Sequence, residues 1–130
     1  MMFVHGVDLI EVSRVKRMLD EHGDSFLSRC FTDTEQSVSN VSSDETRNQR
    51  YAARFAAKEA VMKALGTGWG NGVGWKDISI ESLNGPPQVH LSGGAQERAS
   101  ELGIKQWALS LSHTESYAIA SVIGTGGNDA

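Results

Sequence analysis

A single cysteine, Cys30, rules out a disulfide or a thiolate metal site within one chain and fits a reducing compartment. Its S-R-C-F surroundings read as a small buried side chain rather than a reactive thiol. No apolar run approaches the ~18 residues of a membrane span, and no basic and apolar leader opens the sequence. A soluble, cytoplasmic protein with no membrane partner is therefore expected. Positive charge is short as well: 12 Lys and Arg against 16 Asp and Glu leave a formal charge of −4, which argues against a general nucleic-acid binder. The 130 residues suffice for one domain with a real core.

What is present concentrates in Arg54 to Lys63, R-F-A-A-K-E-A-V-M-K. These ten residues hold no Gly or Pro and one β-branched residue, so they read as helix. At 100° per residue Glu59 and Lys63 are neighbours, with Ala52 and Ala56 on the same side. Ala53, Ala57, Ala60 and Ala64 fall on the far side, so neighbours should crowd this helix on two faces. Ser43 or Asp44 is the expected cap of the helix and Gly66 its end. Upstream, Asp8 follows a short apolar stretch in H-G-V-D-L-I-E-V.

The remaining elements follow from periodicity and breakers. A strand is expected over 2–10, a helix from about Glu11 to Glu21 stopped by Gly23, a short helix from Ser25 to Phe31, and a third started by Thr32 to Glu35. The polar stretch from Ser37 reads as a loop ending at Ser43 or Asp44, and the glycine-rich Gly66 to Gly74 reads as a loop too. Strands are expected at Trp75 to Leu83 and Gln88 to Leu91 around the turn Asn84-Gly85-Pro86-Pro87. Ser92 caps an expected helix from about Gly94 to Leu102, and strands Gln106 to Ser112 and Tyr117 to Ile123 flank the turn H-T-E-S. The class is α+β, an antiparallel sheet with a long packed helix. One domain over 1–123 and a flexible tail over 124–130 are expected.

Each candidate site has a plain structural alternative. Asp8, where strand turns to helix, either caps that helix or presents a fixed carboxylate to a hard cation. Glu59 with Lys63 at i,i+4 is either a solvated surface pair or, given its alanine surround, a charge pair with a further partner. Two oxygen ligands without Cys or His-x-x-x-His favour Mg²⁺ over zinc, and Mg²⁺ with few protein ligands completes its shell with water and phosphates. That points to phosphate chemistry. The glycine-rich segment lacks the G-K-[ST] ending of a P-loop and is a connector or a phosphate cradle. Ser112, His113 and Thr114 form either an ordinary turn or a phosphate contact built from hydroxyls and free N–H groups.

Taken together these pieces resemble the 4′-phosphopantetheinyl transferases of the short holo-acyl-carrier-protein synthase type. The matching blocks are Gly6 to Arg14 (G-V-D-L-I-E-V-S-R), Phe31 to Glu35 (F-T-D-T-E), Arg54 to Gly68 (R-F-A-A-K-E-A-V-M-K-A-L-G-T-G), Asn84 to Pro87 and Leu111 to Thr114. The resemblance spans roughly residues 2–123. It implies transfer of the phosphopantetheine arm of coenzyme A to a serine of an apo acyl carrier protein, with adenosine 3′,5′-bisphosphate as by-product. It also implies Asp8 and Glu59 as Mg²⁺ ligands and Lys63 beside the leaving phosphate. Arg54, His113 and Thr114, with Ser112, are implied at the nucleotide phosphates, Gly66 and Thr67 in the coenzyme A site, and Gly85, Pro86 and Pro87 at the adenosine end. The base is Glu59 itself or a metal-bound water that it orients.

Homotrimers with sites between subunits are a further implication. The carrier of this family is acidic, and Arg14 and Arg17, three apart on the first helix, with Arg29 extending them, form the expected docking patch. Carriers of fatty-acid and polyketide synthesis would leave the same residues behind. The sequence departs from the family pattern at Val4, where glycine is usual, at His5, where an apolar residue is common, and in having both Pro86 and Pro87. Two rival readings stand beside transfer: an Mg²⁺-dependent hydrolase of coenzyme A or nucleotide pyrophosphates, and a non-catalytic carrier- or coenzyme-A-binding module.

Overall fold

A computed structural model describes residues 2–40, 43–82 and 85–126. In chain order the elements are β1 (Phe3–Glu11), α1 (Val12–His22), α2 (Asp24–Cys30), α3 (Asp33–Ser39), α4 (Asp44–Leu65), a single 3₁₀ turn (Trp75–Asp77), β2 (Ile78–Glu81), β3 (Gln88–Leu91), α5 (Gly93–Leu102), β4 (Ile104–His113) and β5 (Tyr117–Gly126). The α+β class holds, with every strand pairing antiparallel. The strands do not form one meander. β1 pairs with β5 and β5 with β4 in a three-stranded sheet, while β2 and β3 make a separate two-stranded one. The first and last strands thus meet in register, Asp8 opposite Ala120.

α4 is the axis of the fold. Ser43 caps it through its hydroxyl, which accepts from the Thr46 N–H, and Gly66 ends it at φ 75°, a left-handed conformation that suits glycine. Alanines 52, 53, 56, 57, 60 and 64 are all buried, so neighbours do pack against both faces. One face receives β1 and β5. Along β1 the inward residues are Gly6, Asp8 and Ile10, and along β5 they are Ala118, Ala120 and Val122. These small side chains let sheet and helix come close. The limit is reached at Gly6, where a Cβ would stand 1.9 Å from the Ala60 carbonyl oxygen. On the other side an aromatic cluster seals the core: Phe31 lies edge-on to Phe26 and Tyr51, and Trp75 stacks on Phe55 with centroids 4.7 Å apart.

Several boundaries differ from expectation for physical reasons. β1 continues to Glu11, which is the N-cap of α1 without a side-chain bond, so Asp8 sits inside a strand and caps nothing. The polar stretch at Ser37 to Ser39 belongs to α3, which a reciprocal Thr32–Glu35 capping box starts; Val41 and Ser42 lie outside the described residues. Trp75 to Asp77 coil into the 3₁₀ turn rather than extending, closed by the Asp77 N–H on the Gly74 carbonyl and the Gly74 N–H on the Asp77 carboxylate, while Lys58 donates to the Trp75 carbonyl. Ser92 precedes α5 without a side-chain cap bond. Gly124 to Gly126 pair within β5, so the sheet passes the boundary expected at 123, while 127–130, Leu83 and Asn84 lie outside the described residues.

The outer face of the three-stranded sheet carries Phe3, Val7 and Leu9 from β1 and Tyr117, Ile119 and Ile123 from β5, all exposed. His5, on the same face, pairs with Ser121 through its ring nitrogen at 3.2 Å, so the departure at position 5 sits on this surface and not in the core. Val4 is half-buried against the core.

Replacing Gly6 with Ala should force β1 off α4. Urea unfolding is expected to show a loss of roughly 2–4 kcal/mol, far more than the few tenths that glycine-to-alanine changes bring at open sites.

Candidate functional site

Two groups of expected residues gather on opposite parts of α4. The first is acidic and basic together. Because Gly6 seats β1 on α4, the next inward residue, Asp8, faces the last turns of the helix. Its carboxylate accepts from Lys63 Nζ at 2.8 Å, and the same ammonium donates to the Val7 carbonyl at 3.1 Å. Lys63 therefore pairs with a residue 55 positions away rather than with Glu59 in a surface i,i+4 pair. That bond to Asp8, with the charges of Asp8 and Glu59, raises the lysine pKa against a smaller opposing effect of burial, which keeps it charged at neutral pH. Asp8 is 9% exposed overall, while the Lys63 side chain remains 54% exposed.

Glu59 is half-buried beside them. Burial pushes its pKa up and the charge of Asp8 pushes it further, while Arg14 and Lys63 pull the other way. Two carboxylates, one set in a strand and one in a helix, with the first close enough to raise the proton affinity of the second, form a donor pair suited to a hard divalent cation. Among the described residues no group of three or more His, Cys, Asp or Glu gathers as a metal cage. An ion held here would draw its remaining ligands from water or substrate oxygens, as Mg²⁺ does. A cleft of about 210 Å³ opens beside the pair, lined by Glu59, Met62, Lys63, Gly68, Trp69 and Trp75. Met62, Trp69 and Trp75 were not expected there, although a tryptophan inside a glycine-rich segment is a signal of contact that the sequence did carry. Gly66 and Thr67 end α4 next to this cleft without lining it, and the Thr67 hydroxyl is buried with no partner.

The second group lies where α4 meets the β2–β3 hairpin and β4. A cleft of about 440 Å³ is lined by Arg50, Arg54, Ser82, Pro86, Pro87 and His113, among others. Arg54 is 6% exposed; it donates to the Ser82 hydroxyl at 3.2 Å and the Arg50 carbonyl at 3.4 Å, and its Nε is buried without a partner. Burial lowers its pKa, Glu35 raises it and Arg50 lowers it again, yet a guanidinium stays charged. Both prolines line the cleft, and Gly85, at φ 152°, sets the turn before them. Among the described residues no carboxylate lines it, so two guanidinium groups and an imidazole make it suited to an anion. Arg50, one turn before Arg54, is the member that sequence reasoning missed.

Ser112, His113 and Thr114 reach the surface at the end of β4. The Thr114 hydroxyl accepts from the Tyr117 N–H at 3.0 Å, closing the turn, and keeps its own proton to donate. A shallow depression beside it joins Leu9, Ser112, His113, Thr114, Tyr117 and Ile119 on the outer sheet face. Arg14 and Arg17 are exposed on α1, Arg29 on α2, and Arg14 lies 5.8 Å over the Phe55 ring. A larger cavity, about 520 Å³ between β3, α5 and β4, contains none of the expected residues.

The family model for the 4′-phosphopantetheinyl transferase superfamily matches residues 5–122, which takes in both groups. The chain belongs to that superfamily. Similar curated relatives are holo-[acyl-carrier-protein] synthases. That of Solibacter usitatus is 46% identical over 91% of this chain and 94% of the relative, and that of Gloeobacter violaceus is 43% identical over 92% of each. Among solved structures, the holo-(acyl-carrier-protein) synthase of Bacillus anthracis in complex with CoA (3′,5′-ADP) superposes with a TM-score of 0.78 at 32% identity, covering 95% of this chain and 96% of that one. The synthase of Neisseria meningitidis gives 0.82 at 29% identity over 94% and 97%. The chain is thus an enzyme of the phosphopantetheinyl transferase kind, with the α+β architecture of the family.

The raised Glu59 pKa carries a stability consequence. A carboxyl that binds its proton more readily folded than unfolded lowers stability as pH rises through the window above the ordinary glutamate value. Glu59→Gln should therefore melt higher than the parent at neutral pH, and the difference should vanish in acid, where both side chains are uncharged. Thermal scans across that range check it.

Proposed function

We propose that this chain transfers the 4′-phosphopantetheine group of coenzyme A to a serine of an apo acyl carrier protein. The observation that carries the reading is the bond of Asp8 to Lys63 beside Glu59, at a cleft that Glu59 and Lys63 line with the glycine-rich segment, in a chain similar to holo-[acyl-carrier-protein] synthases over most of its length. The serine oxygen attacks the phosphorus that bears pantetheine. The bond from that phosphorus to the second phosphate's bridging oxygen breaks, and adenosine 3′,5′-bisphosphate leaves with the electron pair. Glu59, directly or through a water it orients, accepts the serine proton. Lys63 stands beside the leaving phosphate and gains strength as charge builds there. Asp8 and Glu59 would hold a Mg²⁺ ion, which would supply neutralisation of the pyrophosphate charge.

The basic cleft holds the nucleotide end. Arg54 and His113, with Ser112 and Thr114 in the depression that shares His113 with the cleft, contact phosphate, and Pro86 and Pro87 border the adenosine. Arg14 and Arg17, exposed on α1 next to the acid group, with Arg29 on α2, receive the acidic carrier.

The working form is a homotrimer with sites between subunits. Two features support this. The two clefts share no lining residue within one chain. The exposed apolar sheet face, larger in extent than scattered surface residues, borders Ser112, His113 and Thr114, so a subunit covering it would bring those residues to a neighbour's acids. Among the described residues no helix is long and apolar enough to cross a membrane.

Mass spectrometry of apo carrier protein incubated with coenzyme A and Mg²⁺ should show a gain of one phosphopantetheine unit on the serine. Chelation of the metal should stop it, and Asp8→Asn or Glu59→Gln should lower kcat/KM by about 10²- to 10⁴-fold. Release of bisphosphate without a carrier would point to hydrolysis instead. Lys63→Ala should lower kcat more than it weakens coenzyme A binding, and Arg14→Glu should raise the KM for carrier while sparing that for coenzyme A. Light scattering should give three times the chain mass, and Leu9→Lys on the outer sheet face should reduce it; a monomer of full activity would remove the trimer from the account.

A further inference from the structure

Two ionisable groups lie wholly inside the molecule and take no part in the chemistry above. Lys58 and Glu35 are each 0% exposed, with Nζ 2.6 Å from Oε1. Lys58 also donates to the carbonyls of Trp75 at 3.0 Å and Ile78 at 2.6 Å, so its three protons meet three acceptors. Glu35 accepts from the main-chain N–H of Thr32 at 2.9 Å and of Ile80 at 2.8 Å. The ammonium lies 5.4 Å from the Phe31 ring centroid. The pair is thus bonded to the main chain at Thr32, Trp75, Ile78 and Ile80, joining the start of α3 to the continuous stretch from the 3₁₀ turn into β2.

Stability alone does not call for this arrangement. A buried ion pair repays its desolvation only partly, and apolar residues of similar volume often serve as well or better. What hydrocarbon cannot do is hold main-chain groups in fixed directions. Of the four groups held, Trp75 is the one whose side chain reaches the acid cleft. Its indole stacks on Phe55 with an interplanar angle of 20° and forms a wall beside Glu59, Met62 and Lys63. Lys58 also immediately precedes Glu59, so its bonds fix the rotation of α4 that presents Glu59 to the cleft.

We infer that Lys58 and Glu35 are positioning residues for the transfer step, locking the Trp75 wall and the rotation of α4 that set Glu59 and Lys63 against the reacting groups, without touching substrate themselves. The inference rests on the transferase reading above. The placement tolerance of catalytic groups is small, and a shift near 1 Å lowers turnover by about 10²-fold.

The test is the double substitution Glu35→Leu with Lys58→Met, which keeps volume and leaves no lone buried charge. The protein is labelled with 5-fluorotryptophan, and the Trp75 resonance is assigned among the three tryptophans by Trp75→Phe. The expected result is a melting temperature within a few degrees of the parent, a Trp75 fluorine signal that shifts or broadens, and a kcat lower by roughly ten- to a hundredfold with the KM for coenzyme A within about twofold. An unchanged Trp75 signal, or an unchanged kcat per folded molecule, overturns the inference. If the double variant does not fold, Trp75→Leu on the intact pair tests the same wall: a kcat loss at constant coenzyme A KM supports it, and parental kcat overturns it. A parent chain that modifies no carrier sinks the transferase reading instead, while the fluorine signal of the double variant still reports whether the pair positions Trp75.

Discussion

The closest approach between strand and helix in this molecule is the seat of Gly6 on the Ala60 carbonyl, and the chemistry depends on it. No other residue type fits there, since a single added carbon would overlap the helix backbone. The contact fixes how far β1 stands from α4 and in what register. Two residues along, on the same inward face, is Asp8, and the period of the strand leaves it no other direction in which to point. Glu59 and Lys63 project from the helix towards it. A backbone contact of glycine and alanine thereby becomes a cluster of two carboxylates and an ammonium. The alanines on α4 and β5 extend the same logic, with small side chains setting a short distance between layers across which long polar side chains reach.

Around that cluster the charge is arranged in opposite senses on a chain that is acidic overall. The acid cleft invites a cation and its phosphates, and the basic cleft by Arg54 invites an anion. The exposed arginines of α1 and α2 add a positive surface apart from both. These regions do not compete, because α4 separates the first two and the aromatic cluster beneath Arg14 separates the docking face from the core.

Much of this was legible in the sequence because it is local. Ser43, Gly66, the alanine spacing and the Glu59–Lys63 step are properties of one helix, and they were read correctly from 3.6-residue periodicity. The capping box at Thr32 and Glu35 was half legible: Thr32 was expected as a cap, but Glu35 reaches beyond its own helix to β2 and Lys58, which no local pattern announces. The pairing of β1 with β5 was not foreseen, since 116 positions separate His5 from Ser121 and strand neighbours are a matter of topology. Asp8 was placed at a strand end because helix-favouring residues follow it; the sheet extends the strand three residues further by pairing with β5. Arg50 escaped notice because its role depends on the β2–β3 hairpin and β4 closing over α4. Trp75 begins an alternating run and so reads as strand, whereas bonds between Gly74 and Asp77 curl the chain into a turn there.

The claim most exposed to test is that Asp8 and Glu59 serve one divalent ion. Crystals grown with Mn²⁺ and coenzyme A would locate the metal by its anomalous scattering. The account predicts one strong peak within bonding distance, about 2.0–2.3 Å, of an oxygen from each carboxylate, with pyrophosphate oxygens in the same shell. A peak that touches only one of the two, or none there while coenzyme A is bound, would contradict it.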